Sequence, residues 1–234
     1  MPNDGAPGHA VVTGSSSGIG LAIAQMLLAQ GWQVSGFDLS APTLDHAAFH
    51  AVRVDLCDGA ALDRAARDVQ AVTALVHAAG VLRVGPLGAL QHDDARLMWQ
   101  LHVEAAMRLA DTLAPAMAAA RSGRIVLIGS RVAQGKAGRS QYAASKAALV
   151  GLARSWAAEL VARGVTVNIV SPAATETAML VDPARQSQPP KLPPLGRLIR
   201  PQEIAALVAY LLSPAAAAIT GQDLQICGGS SLAQ

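Results

Sequence analysis

Residues Val11 to Gly31 read VVTGSSSGIGLAIAQMLLAQG: a short apolar run, a glycine-rich turn, then a longer run rich in alanine and leucine. The first part suits a buried strand and the last an α-helix, so the turn joins a strand to a helix. Its spacing is Gly14-x3-Gly18-x-Gly20. By analogy with the G-x-G-x-x-G fingerprint, Gly14 makes the turn and Gly18 lets backbone approach a pyrophosphate. Gly20 lets the helix pack closely on the strand. A helix starting here presents free N–H groups and a partial positive charge to phosphates. Three glycines alone also suit a plain strand-to-helix turn, so the surroundings decide.

Eighteen residues after Gly20, at the end of WQVSGFD, stands Asp38. A carboxylate at this place accepts hydrogen bonds from both ribose hydroxyls and repels a 2′-phosphate. Neither Ser15 nor Ser17 offers a basic side chain to pair with such a phosphate. This pattern favours NAD over NADP. An ordinary strand-end turn aspartate is the plain alternative.

Further out, short apolar runs alternate with longer amphipathic ones. HAVVTG from His9, WQVSGFD, AVRVDL, VTALVHAAG, GRIVLIGS, GVTVNIVSP and QDLQICGG read as seven buried strands. Helical stretches lie between them, among them DDARLMWQLHVEAAMRLADTLAPAMAAA, and several end at a glycine such as Gly31 or Gly164. The alternation predicts a single-domain α/β fold over residues 1–234. A Rossmann-type, doubly wound parallel sheet of about seven strands carries helices on both faces. Ligands then bind at the carboxyl ends of the strands, where strand order reverses. Residues 178–200 fall in a proline-rich stretch without a clean period, read as a substrate lid.

Composition sets the outer limits. A chain of 234 residues that is 52% hydrophobic can bury a core without disulfide or metal staples. The net charge of +2 and 3% aromatic content give neither a basic stripe nor stacking rings for nucleic acid. Cys57 and Cys227 form no C-x-x-C pair and the histidines are dispersed, so no metal site is expected. The N-terminus has neither the basic start nor the apolar core of a signal peptide, and the most apolar later run is broken by Pro214. A cytoplasmic protein with no membrane partner is the expectation.

The chemistry centres on SQYAASKAAL, Ser140 to Leu149. Arginine outnumbers lysine fifteen to three and there are two tyrosines, yet Tyr142 and Lys146 stand one helical turn apart on one face. GRIVLIGS delivers Ser130 to the carboxyl end of a strand. A free tyrosine has a pKa near 10, too high for a base at neutral pH, but a nearby ammonium favours the phenolate. Tyr142 can then exchange a proton with a substrate hydroxyl while Ser130 holds the substrate oxygen.

Taken together, T-G-x3-G-x-G (Thr13 to Gly20), AAG (Ala78 to Gly80), Ser130, Tyr142-x3-Lys146, NIVSPAATET (Asn168 to Thr177) and ITGQDL resemble the short-chain dehydrogenase/reductase family over essentially the whole chain. The resemblance implies an NAD-dependent oxidoreductase acting on CH–OH or CH–CH groups. Tyr142 would be the acid/base. Lys146 would bind the nicotinamide ribose and lower the tyrosine pKa, and Ser130 would orient substrate. Cofactor contacts would come from Gly14, Ser16, Ser17, Gly18, Ile19, Gly20, Asp38, Asp55, Leu56, Ala78, Ala79 and Gly80. Tyr142, Lys146, Pro172, Ala174, Thr175 and Thr177 would complete them, with Asp55 meeting the adenine amino group. A homotetramer or homodimer is also implied.

Departures from the family pattern are specific. His102 replaces the usual proton-relay asparagine, as a substitute relay or as a buried helix histidine with a backbone partner. His77 and Ala78 replace two asparagines that brace the sheet, Ala173 replaces a glycine, and Cys227 an aspartate. SGFD, AAGVLRVG and RPQEIA resemble the 2,3-dihydro-2,3-dihydroxybenzoate dehydrogenases locally, which implies a secondary alcohol such as a cyclic diol. An anionic substrate would call on Arg83, Arg131 or Arg139. A 3-oxoacyl-thioester reductase and a non-catalytic NAD(H)-binding sensor are the alternatives. Asp38 weighs against the first, because such reductases usually use NADPH, and the intact Ser130, Tyr142 and Lys146 weigh against the second.

Overall fold

In the computed structural model, which describes residues 8–180 and 191–232, all seven expected strands form. They are β1 (His9–Thr13), β2 (Gln33–Asp38), β3 (Phe49–Arg53), β4 (Ala74–His77), β5 (Gly123–Ile128), β6 (Val165–Pro172) and β7 (Asp223–Ile226). They pair in parallel in the order β3-β2-β1-β4-β5-β6-β7. The chain winds outward from β1 to β3, then returns to place β4 on the other side of β1. That reversal opens a crevice above the ends of β1 and β4.

Side-chain alternation along the strands makes two cores. Val11, Leu75, Ile125, Leu127, Val167 and Ile169 face one side, against α2 (Gly59–Asp68), α4 (Ala105–Ala119) and α5 (Ser140–Leu160). Ala10, Val12, Val76, Val126, Ile128 and Val170 face the other, against α1 (Gly18–Ala29) and α6 (Pro201–Leu212). Strands buried on both faces need continuous apolar runs, which is why the sequence showed them so clearly. Gly31 and Gly164 follow α1 and α5 in the left-handed region, at φ 82° and 74°.

Two expectations need correcting. β3 is not buried: three of its five residues are exposed, because it is an edge strand paired only with β2. β7, at the opposite edge, is half-buried throughout. The long stretch read as one helix is α3 (His92–Trp99), a π turn (Gln100–Glu104) and α4 in continuous succession. In the π turn the Ala105 N–H reaches back five residues to the Gln100 carbonyl, a widened turn. Among the described residues no helix is long and apolar enough to cross a membrane.

Candidate active site

A cavity of about 530 Å³ runs along the carboxyl ends of β1, β4, β5 and β6, from the head of α1 to the side of α5. At one end it meets Gly14, Ser17, Gly18, Ile19 and Gly20. A Cβ on Gly20 would lie 2.2 Å from the Gly14 carbonyl oxygen, and one on Gly14 would lie 2.9 Å from the Ala79 Cα. Both glycines are therefore required by close backbone approach, and Gly14 and Gly18 also hold φ of 69° and 54°. No side chain caps α1 and no acid stands in its first turn, so its N–H groups remain for an incoming anion. This backbone cradle fits the pyrophosphate of a dinucleotide.

Ala78, Ala79 and Gly80 line the floor, and Pro172, Ala174, Thr175 and Thr177 the far wall. Asp38 lies at the end of β2, where its carboxylate accepts hydrogen bonds from the Ser16 N–H (2.9 Å) and the Ser40 N–H (2.8 Å). It thereby fixes the glycine-rich turn from outside the cavity lining. Leu56 is buried in the core. Asp55 is exposed, accepts the Cys57 N–H (2.8 Å) and lines a separate groove between β3 and α2.

At the other end stand Ser130, Tyr142 and Lys146, all lining the cavity and each under a tenth exposed. Ser130 Oγ accepts the Val132 N–H (3.2 Å), which orients the hydroxyl at the start of the 3₁₀ turn Arg131–Gln134. Lys146 Nζ donates to the Ile128 carbonyl (2.8 Å) and lies 6.0 Å from the Tyr142 ring centroid. Burial brings its pKa down to about 7. An anion seated beside it would restore the ammonium form.

The two unusual histidines are fully buried behind this site. Thr13 Oγ1 accepts the Ala78 and Ala79 N–H groups (both 3.0 Å), which leaves its own proton for His77 Nδ1 (3.0 Å). His77 Nε2–H then donates to the Leu101 carbonyl in the π turn (3.0 Å). His77 thus braces β1 to the widened helix turn, in place of the expected asparagines. Burial, then the Lys146 charge, depress its pKa to about 3.

His102 accepts the Val81 N–H at Nε2 (3.1 Å). Its Nδ1–H donates to Ser145 Oγ (2.9 Å), because that hydroxyl donates its own proton to the Tyr142 carbonyl (2.9 Å). The ring meets Tyr142 edge-on, with centroids 5.6 Å apart. Both ring nitrogens of His102 are thus engaged by protein partners. This arrangement matches the second of the two readings, a buried helix histidine with a backbone partner. Its pKa lies well below 6.5, first from burial and then from Lys146.

Of the arginines considered for an anion, Arg131 and Arg139 line the cavity. Arg83 does not, and it approaches Asp94 at 3.7 Å. The sequence reading missed Lys136 and Lys191 as cavity residues, along with the apolar Leu82, Val132, Met179 and Leu192. Lysine scarcity, applied only to Lys146, pointed equally to the other two. The expected lid lies partly outside the described residues. Ala178–Leu180 forms a 3₁₀ turn over the cavity. Beyond the gap, Ile199 pairs with Thr175, and Arg197 forks the Glu203 carboxylate (2.8 Å twice) at the head of α6.

A family profile described as Enoyl-(Acyl carrier protein) reductase matches residues 14–231. The 3-oxoacyl-[acyl-carrier-protein] reductase FabG of Salmonella typhimurium is 36% identical over 94% of this chain and 96% of its own. The 2,3-dihydro-2,3-dihydroxybenzoate dehydrogenase of Escherichia coli K12 is 37% identical over the same shares. Among solved structures, a short chain dehydrogenase/reductase family protein superposes with a TM-score of 0.89 at 33% identity, covering 96% of this chain and 97% of the other. A blue fluorescent protein from a metagenomic library, in complex with NADPH, gives 0.83 at 31% identity over 96% and 98%.

Proposed function

The chain belongs to the short-chain dehydrogenase/reductase family, a nicotinamide-dependent oxidoreductase, and on that premise we propose that it interconverts a secondary alcohol and a ketone using NAD. The observation that carries this is the convergence of Ser130, Tyr142 and Lys146 at one end of a cavity whose other end is the uncapped head of α1. Gly14, Gly18 and Gly20 would admit the pyrophosphate. Asp38, at the end of the neighbouring strand, would accept ribose hydroxyls and repel a 2′-phosphate. A bound nicotinamide supplies the acceptor or donor of hydride.

The protons are handled by the chain. Ser130 Oγ–H, held from behind by the Val132 N–H, donates to the substrate oxygen. Tyr142 Oη takes the hydroxyl proton in oxidation and returns it in reduction. The Lys146 ammonium favours the phenolate form. Residues 178–200 would act as the lid, fixed downstream by Arg197 and Glu203, and exclude water when closed. Family membership also supports assembly into a homotetramer or homodimer.

A second reading, reduction of a 3-oxoacyl thioester with NADPH, is favoured by the profile's description and by the FabG relatives. Asp38 weighs against it. Ultraviolet absorbance of the reduced cofactor separates the two. NADH should form from cyclic diols or simple secondary alcohols with NAD, and the Tyr142→Phe variant should lose at least ~100-fold of that rate while still binding cofactor. NADPH consumption with an acetoacetyl thioester, without turnover of alcohols by NAD, would replace the first reading with the second.

A further inference from the structure

Two buried polar side chains stand behind Tyr142 and Lys146 and take no part in the chemistry described above. His102 is wholly buried and Ser145 is 2% exposed, and neither lines the cavity. Polar groups withdrawn from water are costly unless bonded, so their bonds show what they hold. A backbone N–H can only donate, so Val81 fixes His102 Nε2 as the acceptor and leaves the ring proton on Nδ1. Nδ1–H then donates to Ser145 Oγ, and the Ser145 hydroxyl donates to the Tyr142 carbonyl. The bonds run in one direction, from the residue after Gly80 on the cavity floor to the backbone of the tyrosine.

Tyr142 needs such support because of where it sits. It is the third residue of α5, within the first turn, where helices fray. Arg139 at the N-cap makes no side-chain capping bond, and the first turn holds no acid to meet the helix dipole. The bonds from His102 through Ser145 stand in place of these usual devices. His102 is itself held by the π turn Gln100–Glu104, whose Leu101 carbonyl accepts from His77. Its ring meets the Tyr142 ring edge-on. A Cβ on Gly80 would lie 3.0 Å from His102 Nε2, so the glycine lets the imidazole sit against the cavity floor.

We propose that His102 is a positioning residue: through Ser145 and through its edge contact it fixes the first turn of α5, and so the placing of Tyr142 against Lys146 and the substrate. It touches neither substrate nor cofactor. The proposal rests on the alcohol–ketone reading for what Tyr142 does, but not for how Tyr142 is held.

The test uses the full chain with His102→Phe, which keeps a flat ring beside Tyr142 and removes both bonds, with Ser145→Ala, and with the two combined. With saturating NAD and cyclohexanol as substrate, kcat should fall by roughly 10–100-fold in each, because a small misplacement of a reacting group costs this much. Affinity for NADH, read by fluorescence, should not change. The double variant should lose no more than the worse single, since both cut one chain of bonds. The acid limb of the kcat profile should move to higher pH, because a tyrosine held less firmly beside an ammonium favours the phenolate less. Around Tyr142 the titratable groups are Lys146 on its own helix and His102 in the π turn, with Arg131, Lys136, Arg139 and Lys191 lining the same cavity. Only His102 among them is altered.

A drop in kcat that follows the unfolded fraction, with the acid limb in place, would overturn the proposal, as would additive losses. Weaker NADH binding in place of a lower kcat would assign His102 to the cofactor floor and overturn it too. Ser145→Ala serves if the ring substitution unfolds the protein. If the unaltered chain turns over no secondary alcohol, the alcohol–ketone reading fails, and nuclear magnetic resonance of isotope-labelled tyrosine decides the rest. The chain has two tyrosines, so Tyr142→Phe identifies the Tyr142 signal. Ser145→Ala should shift or broaden that signal and leave the Tyr210 signal alone, whereas an unchanged Tyr142 signal would overturn the positioning.

Discussion

His77 and His102 each use both ring nitrogens on protein partners in a neutral tautomer, so neither can take a proton without breaking a hydrogen bond. Both pKa values are depressed in the folded chain, that of His77 to about 3. The unfolded chain therefore binds protons first as pH drops. The His77 contribution is complete above about pH 6.5 and is lost as pH falls toward about 3, at ~1.4 kcal/mol per pH unit, and that of His102 is lost in the same direction. Urea denaturation should show the midpoint falling between pH 7 and pH 5, and His77→Asn should be less stable at pH 7 but flatter across that range. A midpoint independent of pH would contradict the assignment. Single residues were legible in the sequence where spacing along one element made the pair, as with Tyr142 and Lys146. His77 and His102 were visible only as departures, because their partners, Thr13, Leu101, Val81 and Ser145, are brought to them by the fold.

At the scale of elements, the junction of β1 and α1 tolerates no added atom. Gly20→Ala would press a methyl group into the Gly14 carbonyl and should destabilise the fold by about 1–3 kcal/mol. Cofactor affinity, read by fluorescence titration, should fall with it. Gly151→Ala on α5, with open space around it, should be neutral or stabilise by up to ~1 kcal/mol. Equal melting temperatures for the two variants would refute this account. The same junction was readable in advance because a turn this tight demands glycine at fixed places. The inner strands β1, β4, β5 and β6 were readable because burial on both faces leaves few polar interruptions. The π turn was not, since one extra residue in a turn leaves the apolar pattern on either side nearly intact. The exposure of β3 was missed because an edge position depends on strand order, which its own five residues do not encode.

At the scale of the whole molecule, the apolar faces of α4 and α5 are spent largely within one chain's own core, so they do not by themselves call for a partner. Family membership nonetheless supports a homotetramer or homodimer. Light scattering should give a mass of two or four chains, and a stable monomer would refute that expectation. The gathering of every lysine at one cavity has a consequence for chemoselectivity. Apart from the amino terminus, the chain has no primary amine elsewhere. An acylating reagent specific for amines, applied sparingly, would act as an affinity label without having been designed as one. Lys191, exposed at the rim, should react before the buried Lys146. Cofactor and substrate together should shield the chain from inactivation, whereas loss of activity at the same rate with and without them would place the sensitive amine elsewhere. Coupling this protein to a support through its amines would, by the same logic, tether it by its own active site.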